Sequence, residues 1–585
     1  MQTLKKVDVV IVGGGWAGMI MAKEIATRTS LSVLLLERGG PYQGLAANHD
    51  AKDEVDTYVR HRHTENAADG LVTHRRTPQS RANPIREFVG LPFQGTGMGG
   101  SGDHWGGTSP RWTPESFKIA THLKELHGAS KLPPNLANQD FGVTWEEIEP
   151  CYMRAEEMMG TCGKAGNLNG KKIEGGNVFE GPRSKEFPSP PHTMPYFPLL
   201  FAKTAKEMGY HPFPMPSSTL SQDYTSPDGV SSKGCVYCGH CSGYPCHVGA
   251  KASPNFRLLP IVEKKKNFKV QTHANVRRVV HKDGKAVGVT YLDQSGNEFM
   301  QPAETVVLAA WGLNNTRLLM LSKTDEQYDP VTGKGQLGRN LTYNMGGGIS
   351  FFLDKPQNNF MGAGGLAMGI GEMLGDLGDE GAKEGAFRGG IVFAYNQGGS
   401  PVLAFGNGHI PPGQAHSNWG AEWKDAAIKW NERYVSFLNT GNCFAYSHNY
   451  VDLDPTYKDK WGDPLLRCTY DSTDADLKQI NYIRKKNIEI AKAMGGIGVP
   501  SGPIQGRGPG SPSPHTHGGA IMGLSPETSV LNRYLQHWKI PNLWVLGANA
   551  FPQADEHTTM TVLGLAYWAS DAFIGRYVKR PGALS

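Results

Sequence analysis

The chain has 585 residues, more than a single hydrophobic core usually spans, so at least two domains are expected. It is 39% hydrophobic and 19% charged with a net charge of +5, a globular composition too weakly basic for a nucleic-acid binder. The run Lys264-Lys265-Lys266 reads as a solvated loop, and no stretch approaches the ~20 apolar residues of a membrane-spanning helix.

Val7 to Val12 (VDVVIV) is a short β-branched run of the kind that forms a buried parallel strand. It enters Gly13-Gly14-Gly15-Trp16-Ala17-Gly18, a G-x-G-x-x-G turn, and then a helical pattern, MIMAKEIATRT. A second strand, Leu31 to Leu36, ends on Glu37, 19 residues beyond Gly18. Gly13 permits the tight turn, Gly15 lets backbone approach a pyrophosphate, and Gly18 lets helix and strand pack closely; Glu37 accepts from a ribose hydroxyl. This is a dinucleotide-binding unit, and the motif alone does not separate FAD from NAD. Lys5 and Lys6 precede the apolar run, but three glycines cut it short, so no signal peptide is expected. The chain by itself reads as cytoplasmic, unless it is exported bound to a partner that carries the signal.

Gly99 to Arg111 reads GGSGDHWGGTSPR. Glycines at this density let the backbone lie flat against a planar ligand, which His104 and Trp105 then touch; the plainer reading is a loop around a buried histidine. Next comes GCVYCGHCSGYPC. Cys235, Cys238, Cys241 and Cys246, half of the eight cysteines, lie within twelve residues as C-x2-C-x2-C-x4-C. Four thiolates at short spacing suit an iron–sulfur cluster. A zinc knot separates its two pairs by a longer stretch, and disulfides are poorly motivated in a chain of this size. Cys151, Cys162, Cys443 and Cys468 are isolated.

Strands are expected over 268–280 and 285–293 around the turn Lys282-Asp283-Gly284, and over Glu304 to Ala310, which leads to Gly312 and a helix. Residues 361–390 are Gly-rich enough for loop or a twisted edge. Near the C-terminus, NLWVLGANAFP is a strand ending in a Gly turn and TVLGLAYWASDAFIGRYV is a helix. His515 and His517 stand in Pro514-His515-Thr516-His517-Gly518-Gly519, and His557 follows Asp555-Glu556. An imidazole can take a hydroxyl proton near neutral pH, although a histidine beside a Gly turn is, taken alone, more often structural than catalytic. The expected class is α/β, α+β overall. A discontinuous Rossmann-like nucleotide domain is assembled from 1–115, 225–345 and 510–585, and a sheet-based substrate domain from 116–224 and 346–509.

The order of GGGWAG, GGSGDHWGGTSPR, AAWGLNNTRLLMLS and GANAFPQADEHTTMTVLGLAYWASDAFIG resembles the glucose–methanol–choline (GMC) flavoprotein oxidoreductases. The resemblance implies FAD. It places Gly13, Gly15, Gly18 and Glu37 on the adenine–ribose–pyrophosphate side and Gly99, Gly100, Ser101, His104, Trp105, Gly106, Gly107 and Thr108 along the flavin ring. It adds Val276, Ala310, Asn549 and Thr558 to the cofactor contacts. His515 matches the family's active-site histidine, three residues before a Gly pair, and His557 fills the slot of the second active-site His or Asn, without the usual Asn-Pro. His104-Trp105 resembles the His-Trp of relatives in which that histidine bonds covalently to the flavin.

Members with a cysteine cluster resemble bacterial sugar dehydrogenases. The tight cysteine spacing and HTHGGAIMG look nearer to the glucoside 3-dehydrogenase subgroup than to gluconate, fructose or glucose dehydrogenases, which tend to wider spacing and a three-iron cluster. The resemblance implies a four-iron cluster (4Fe-4S; alternatively 3Fe-4S) on Cys235, Cys238, Cys241 and Cys246. It also implies a small subunit bearing an export signal, a c-type cytochrome as acceptor, and a periplasmic location. The expected reaction is oxidation of a secondary sugar hydroxyl, such as C3 of a glucoside, with His515 as base and His557 at the same oxygen. The alternatives are another sugar or cyclitol, or a non-catalytic flavin/Fe–S electron carrier.

Overall fold

The computed structural model describes residues 1–50, 54, 70–84, 95–344, 346–357, 362, 365–395, 409–504 and 515–584. Pro514 and the domain boundary expected near 510 lie outside the described residues.

The main sheet is built on β1 (Val7–Val12), which runs into α1 (Trp16–Arg28) and returns as β2 (Val33–Leu36). Val9 to Val12 are buried, as expected for a strand covered on both faces. β3 (Phe268–Gln271), β4 (Asn275–Lys282), β5 (Lys285–Leu292) and β6 (Glu298–Leu308) come from the middle of the chain. The order is β3-β2-β1-β6-β5-β4. β7 (Leu543–Val545), from the C-terminal piece, pairs in parallel with β6, so three separated stretches of sequence complete one sheet. β6 is long enough to change partners along its length: Ala303 to Leu308 run parallel to β1, while Glu298 to Pro302 run antiparallel to β5. Asp283 and Gly284 close the β4–β5 hairpin at φ 51° and 73°, the left-handed pair that a two-residue hairpin turn needs.

α2 (Gly312–Leu321) follows β6, and α3 (Thr558–Ala572) packs on α1 and on the helix Trp145–Met159. α3 is buried nearly all round, from Met560 to Ala572, which makes it an internal strut behind the sheet.

A second sheet takes Phe213–Pro214, Ile349–Phe352, Ala367–Ile370, Gly390–Tyr395 and Tyr434–Gly441. The Gly-rich segment expected to be loop or edge therefore differs from that reading. Ala367–Ile370 is an interior strand between Gly390–Tyr395 and Phe213–Pro214, and Gly378–Glu384 is a short helix. Its glycines permit close strand packing: a Cβ on Gly390 would lie 1.9 Å from Thr440 O. A third sheet pairs Val72–Arg75 with Pro464–Thr469, so a strand of the N-terminal piece joins the segment expected in the substrate domain. Among the described residues no helix is long and apolar enough to cross a membrane.

Candidate active site

The turn after β1 is held by its own sequence. Glu37, at the end of β2, accepts the Gly14 N–H on Oε2 and the Gly39 N–H on Oε1, each at 2.8 Å. Each carboxylate oxygen keeps a further lone pair, so bracing the turn and accepting from a ribose are compatible. The three motif glycines divide by what surrounds them. A Cβ on Gly13 would meet Ala309 O at 2.4 Å with φ at +105°, and one on Gly18 would meet Gly13 O at 2.1 Å. A Cβ on Gly15 would find nothing closer than Gly99 O at 3.9 Å. Gly13 and Gly18 thus serve the packing of the chain on itself, whereas Gly15 leaves open space at the N-terminus of α1, where a helix favours an anion.

That space belongs to a cavity of about 500 Å³. It is lined by Glu37, Arg38, Asn275 and Val276, by Gly13–Gly15, Gly100 and Ala310, and by His104, Trp105, Gly106, His515, Thr516 and Thr558. Trp16 Nε1, on the wall, is buried and has no hydrogen-bond partner among the described residues. A cavity of this size with a helix N-terminus on its wall and an unmatched buried donor fits a dinucleotide. Of the residues expected on the cofactor, Gly13, Gly15, Glu37, Gly100, Ser101, His104, Trp105, Gly106, Val276, Ala310 and Thr558 line the cavity. Gly18, Gly99, Gly107, Thr108 and Asn549 stand behind the lining. Gly99 is pressed against Asn255, Thr108 bridges to Ser217, and Asn549 accepts from Asn315 Nδ2 at 2.9 Å.

His515 lines the cavity, and His557 stands beside it. His515 lies just before the strand Thr516–His517, and His557 caps α3. Their rings are 6.0 Å apart, centroid to centroid. His517 points elsewhere: it is 1% exposed, stacks on Phe551 at 5.5 Å and bonds Thr558 Oγ1 at 2.8 Å through Nε2. The second sheet packs against His557. Phe393 packs on the His557 ring at 5.5 Å, and Thr440 Oγ1 lies 2.9 Å from His557 Nδ1.

Burial holds all three imidazoles neutral. It lowers His515 to about 4, and burial with the neighbouring His515 lowers His517 and His557 to about 3. An unfolded histidine takes up its proton near pH 6.5 and these do not. The unfolded state therefore binds more protons between about pH 6.5 and 4, and stability falls as pH falls through that window. Thermal melts should give a Tm that drops steadily from pH 7 to pH 5; a Tm flat across this range would contradict the burial of these rings.

Sequence reasoning did not find several contributors. Trp311 lines the cavity in a left-handed conformation, φ 72°, a backbone strain that no motif signals. Ser242 and Gly243 bring the cysteine loop onto the cavity wall, and the Gly243 N–H donates to His104 O at 2.8 Å. Lys251, fully buried, fastens the same junction by donating to Trp105 O, Cys241 O and Tyr244 O at 2.6–2.7 Å. The thiols themselves are less tightly organised than the spacing suggests. Cys241 and Cys246 are buried, Cys235 and Cys238 half-buried, and Cys235 lies near enough to feel the charges of the other three. None of the eight cysteines is disulfide-bonded. Among the described residues no three His, Cys, Asp or Glu side chains form a ready metal-binding group. The donor set suits a cluster, but its ligand geometry is not assembled.

Models of GMC oxidoreductases match residues 223–345 and 445–566. The chain is 38% identical over 599 residues to the gluconate 2-dehydrogenase flavoprotein of Pantoea cypripedii, covering 99% of this chain and 95% of that protein. The chain belongs to the GMC oxidoreductase family. It is also 26% identical over 585 residues to the fructose dehydrogenase large subunit of Gluconobacter japonicus, covering 97% of each. Pyridoxine 4-oxidase from Mesorbium loti has the same fold, with a TM-score of 0.59 at 15% identity over 97% of this chain and 99% of that one. Formate oxidase matches equally, with a TM-score of 0.59 at 15% identity over 98% and 99%. The chain is thus an FAD-dependent oxidoreductase acting on CH–OH donors.

Proposed function

We propose that this GMC oxidoreductase is a dehydrogenase of a secondary hydroxyl on a sugar or sugar acid. The observation that carries the proposal is His515 on the wall of the cavity that the Gly13–Glu37 turn also lines, with the His557 ring 6.0 Å from it. FAD, when bound, supplies the two-electron acceptor for the hydrogen removed from carbon. His515, held neutral by desolvation, accepts the hydroxyl proton, and His557 hydrogen-bonds the same oxygen as it gains charge. Gly13, Gly15 and Glu37 hold the nucleotide half, and the wall from Gly100 to Gly106 holds the ring. On this reading the FAD domain is assembled from 1–115, 225–345 and 510–585, and the substrate domain from 116–224 and 346–509.

The named relatives favour gluconate or fructose over the C3 hydroxyl of a glucoside, which the cysteine spacing and HTHGGAIMG suggested. The substrate is sought by turnover with an artificial acceptor on gluconate, fructose and a methyl glucoside, in parallel with oxygen. Turnover of one of them with the dye and not with oxygen supports the dehydrogenase. A rate equal with oxygen would make it an oxidase.

Cys235, Cys238, Cys241 and Cys246 would hold an iron–sulfur cluster that passes single electrons onward. The relative named as a large subunit is in keeping with a small partner subunit, here carrying an export signal, with a cytochrome acceptor and a periplasmic location. Anaerobically purified protein should contain about four irons and four sulfides per flavin. Three irons would remove one cysteine from the ligands. Zinc without iron, or no metal, would sink the cluster.

A further inference from the structure

Next to His557 lies a carboxyl group that the reaction as described does not use. Glu556 is fully buried. Its Oε1 accepts the Ile391 N–H at 2.9 Å, and its Oε2 lies 2.9 Å from Thr440 Oγ1. The same Thr440 Oγ1 lies 2.9 Å from His557 Nδ1. A hydroxyl has one proton, so this chain has two self-consistent arrangements. If Glu556 is ionised, Thr440 donates to it and accepts from His557 Nδ1–H, leaving Nε2 with a lone pair. If Glu556 is a neutral acid, it donates to Thr440, Thr440 donates to Nδ1, and the imidazole proton sits on Nε2.

The charges around Glu556 choose between them. The cation at this place is Arg388, and it faces Asp555, 3.1 Å from Oδ2, which Ser116 also contacts. Asp555 is Glu556's chain neighbour and accepts its N–H at 3.0 Å. His557 Nδ1 is 4.0 Å from Oε2 and belongs to a ring that burial keeps neutral, with His515 beyond it. Arg388 thus pairs with Asp555 and also faces Asp376, 3.6 Å from Oδ1, rather than Glu556. Burial first, and the charge of Asp555 second, push Glu556 well above the usual carboxyl range.

We propose that Glu556, acting through Thr440, fixes the proton of His557 on Nε2, so that this imidazole meets the substrate oxygen as a hydrogen-bond donor. Glu556 is then a positioning residue. The two histidines are no longer interchangeable: His557 cannot serve as base while its Nδ1 accepts from Thr440, which leaves proton removal to His515. The idea rests on the proposed reaction for its consequences, but not for its tautomer.

The tautomer is read without turnover, from long-range 15N–1H spectra of histidine-labelled holoprotein, with His557 assigned by its loss in His557→Asn. The expected result is a protonated Nε2, in wild type and in Glu556→Gln, whose amide donates where the acid did. A protonated Nδ1 would overturn the proposal, whatever the enzyme's substrate. In turnover, Glu556→Leu and Thr440→Val should each lose roughly tenfold to a hundredfold in kcat with flavin retained. Glu556→Gln should restore most of the loss and abolish any alkaline fall in kcat/KM due to ionisation of the acid. Glu556→Gln as impaired as Glu556→Leu, or a fully active Thr440→Val, would contradict the relay. Absence of sugar turnover in the wild type would instead count against the proposed function.

Discussion

Replacing His515 with Asn should lower kcat and kcat/KM together by roughly a hundredfold or more, with flavin content and folding unchanged. A base acts only in the transition state, so its loss appears in both constants rather than in KM. His515 lines the cavity and is held neutral to about pH 4, so it can accept a proton across the physiological range. Wild-type kcat/KM should therefore fall on the acid side as His515 becomes protonated. Parallel steady-state kinetics on wild type, His515→Asn and His517→Asn decide the assignment. His517 is enclosed by Phe551 and Thr558 and does not line the cavity, so its loss should cost stability rather than chemistry. An active His515→Asn protein with intact flavin would refute the role of His515.

The second large effect concerns the turn after β1, where two glycines in one motif should fail in different ways. Gly18→Ala places a Cβ 2.1 Å from Gly13 O, and neither backbone can yield without separating α1 from β1. Overpacking of this kind costs about 1–3 kcal/mol, and the variant should be poorly soluble or melt several degrees lower. Gly15→Ala has room within the protein, the nearest atom being 3.9 Å away, but its methyl group enters the space beside the N-terminus of α1. It should fold normally and lose FAD affinity at least about tenfold, since each lost 1.4 kcal/mol of binding is a factor of ten. Flavin-to-protein absorbance ratios, set beside thermal melts, separate the two. A Gly15→Ala protein with full flavin would show that no phosphate approaches this glycine.

The same contrast marks how far the sequence could be read. β1, α1 and β2 are legible because a β-branched run, a fixed glycine spacing and an acid at the next strand end leave one packing solution. The hairpin at Asp283-Gly284 is legible because two consecutive left-handed residues admit few sequences. The strand Ala367–Ile370 is not legible, because its glycines look like loop until the neighbouring backbones that need them are in place. Thr440 lies 116 residues from Glu556, and no local pattern announces that the second sheet will carry it to His557. The cysteine spacing supplies a donor set, but the distances between thiols depend on tertiary packing and on what they bind. His515 and His557 were legible only through their place in a longer motif; twenty histidines make a lone one uninformative.

The central claim is that His515 and the FAD cavity together remove hydrogen from a sugar or sugar-acid hydroxyl. Its most direct test is anaerobic mixing of the purified holoprotein with gluconate, fructose or a methyl glucoside while the flavin absorbance near 450 nm is followed. Full bleaching by one of these in wild type, and bleaching slowed at least about a hundredfold in His515→Asn, is the expected result. A flavin that stays oxidised with every sugar and sugar acid, or that bleaches equally fast without His515, would contradict the account.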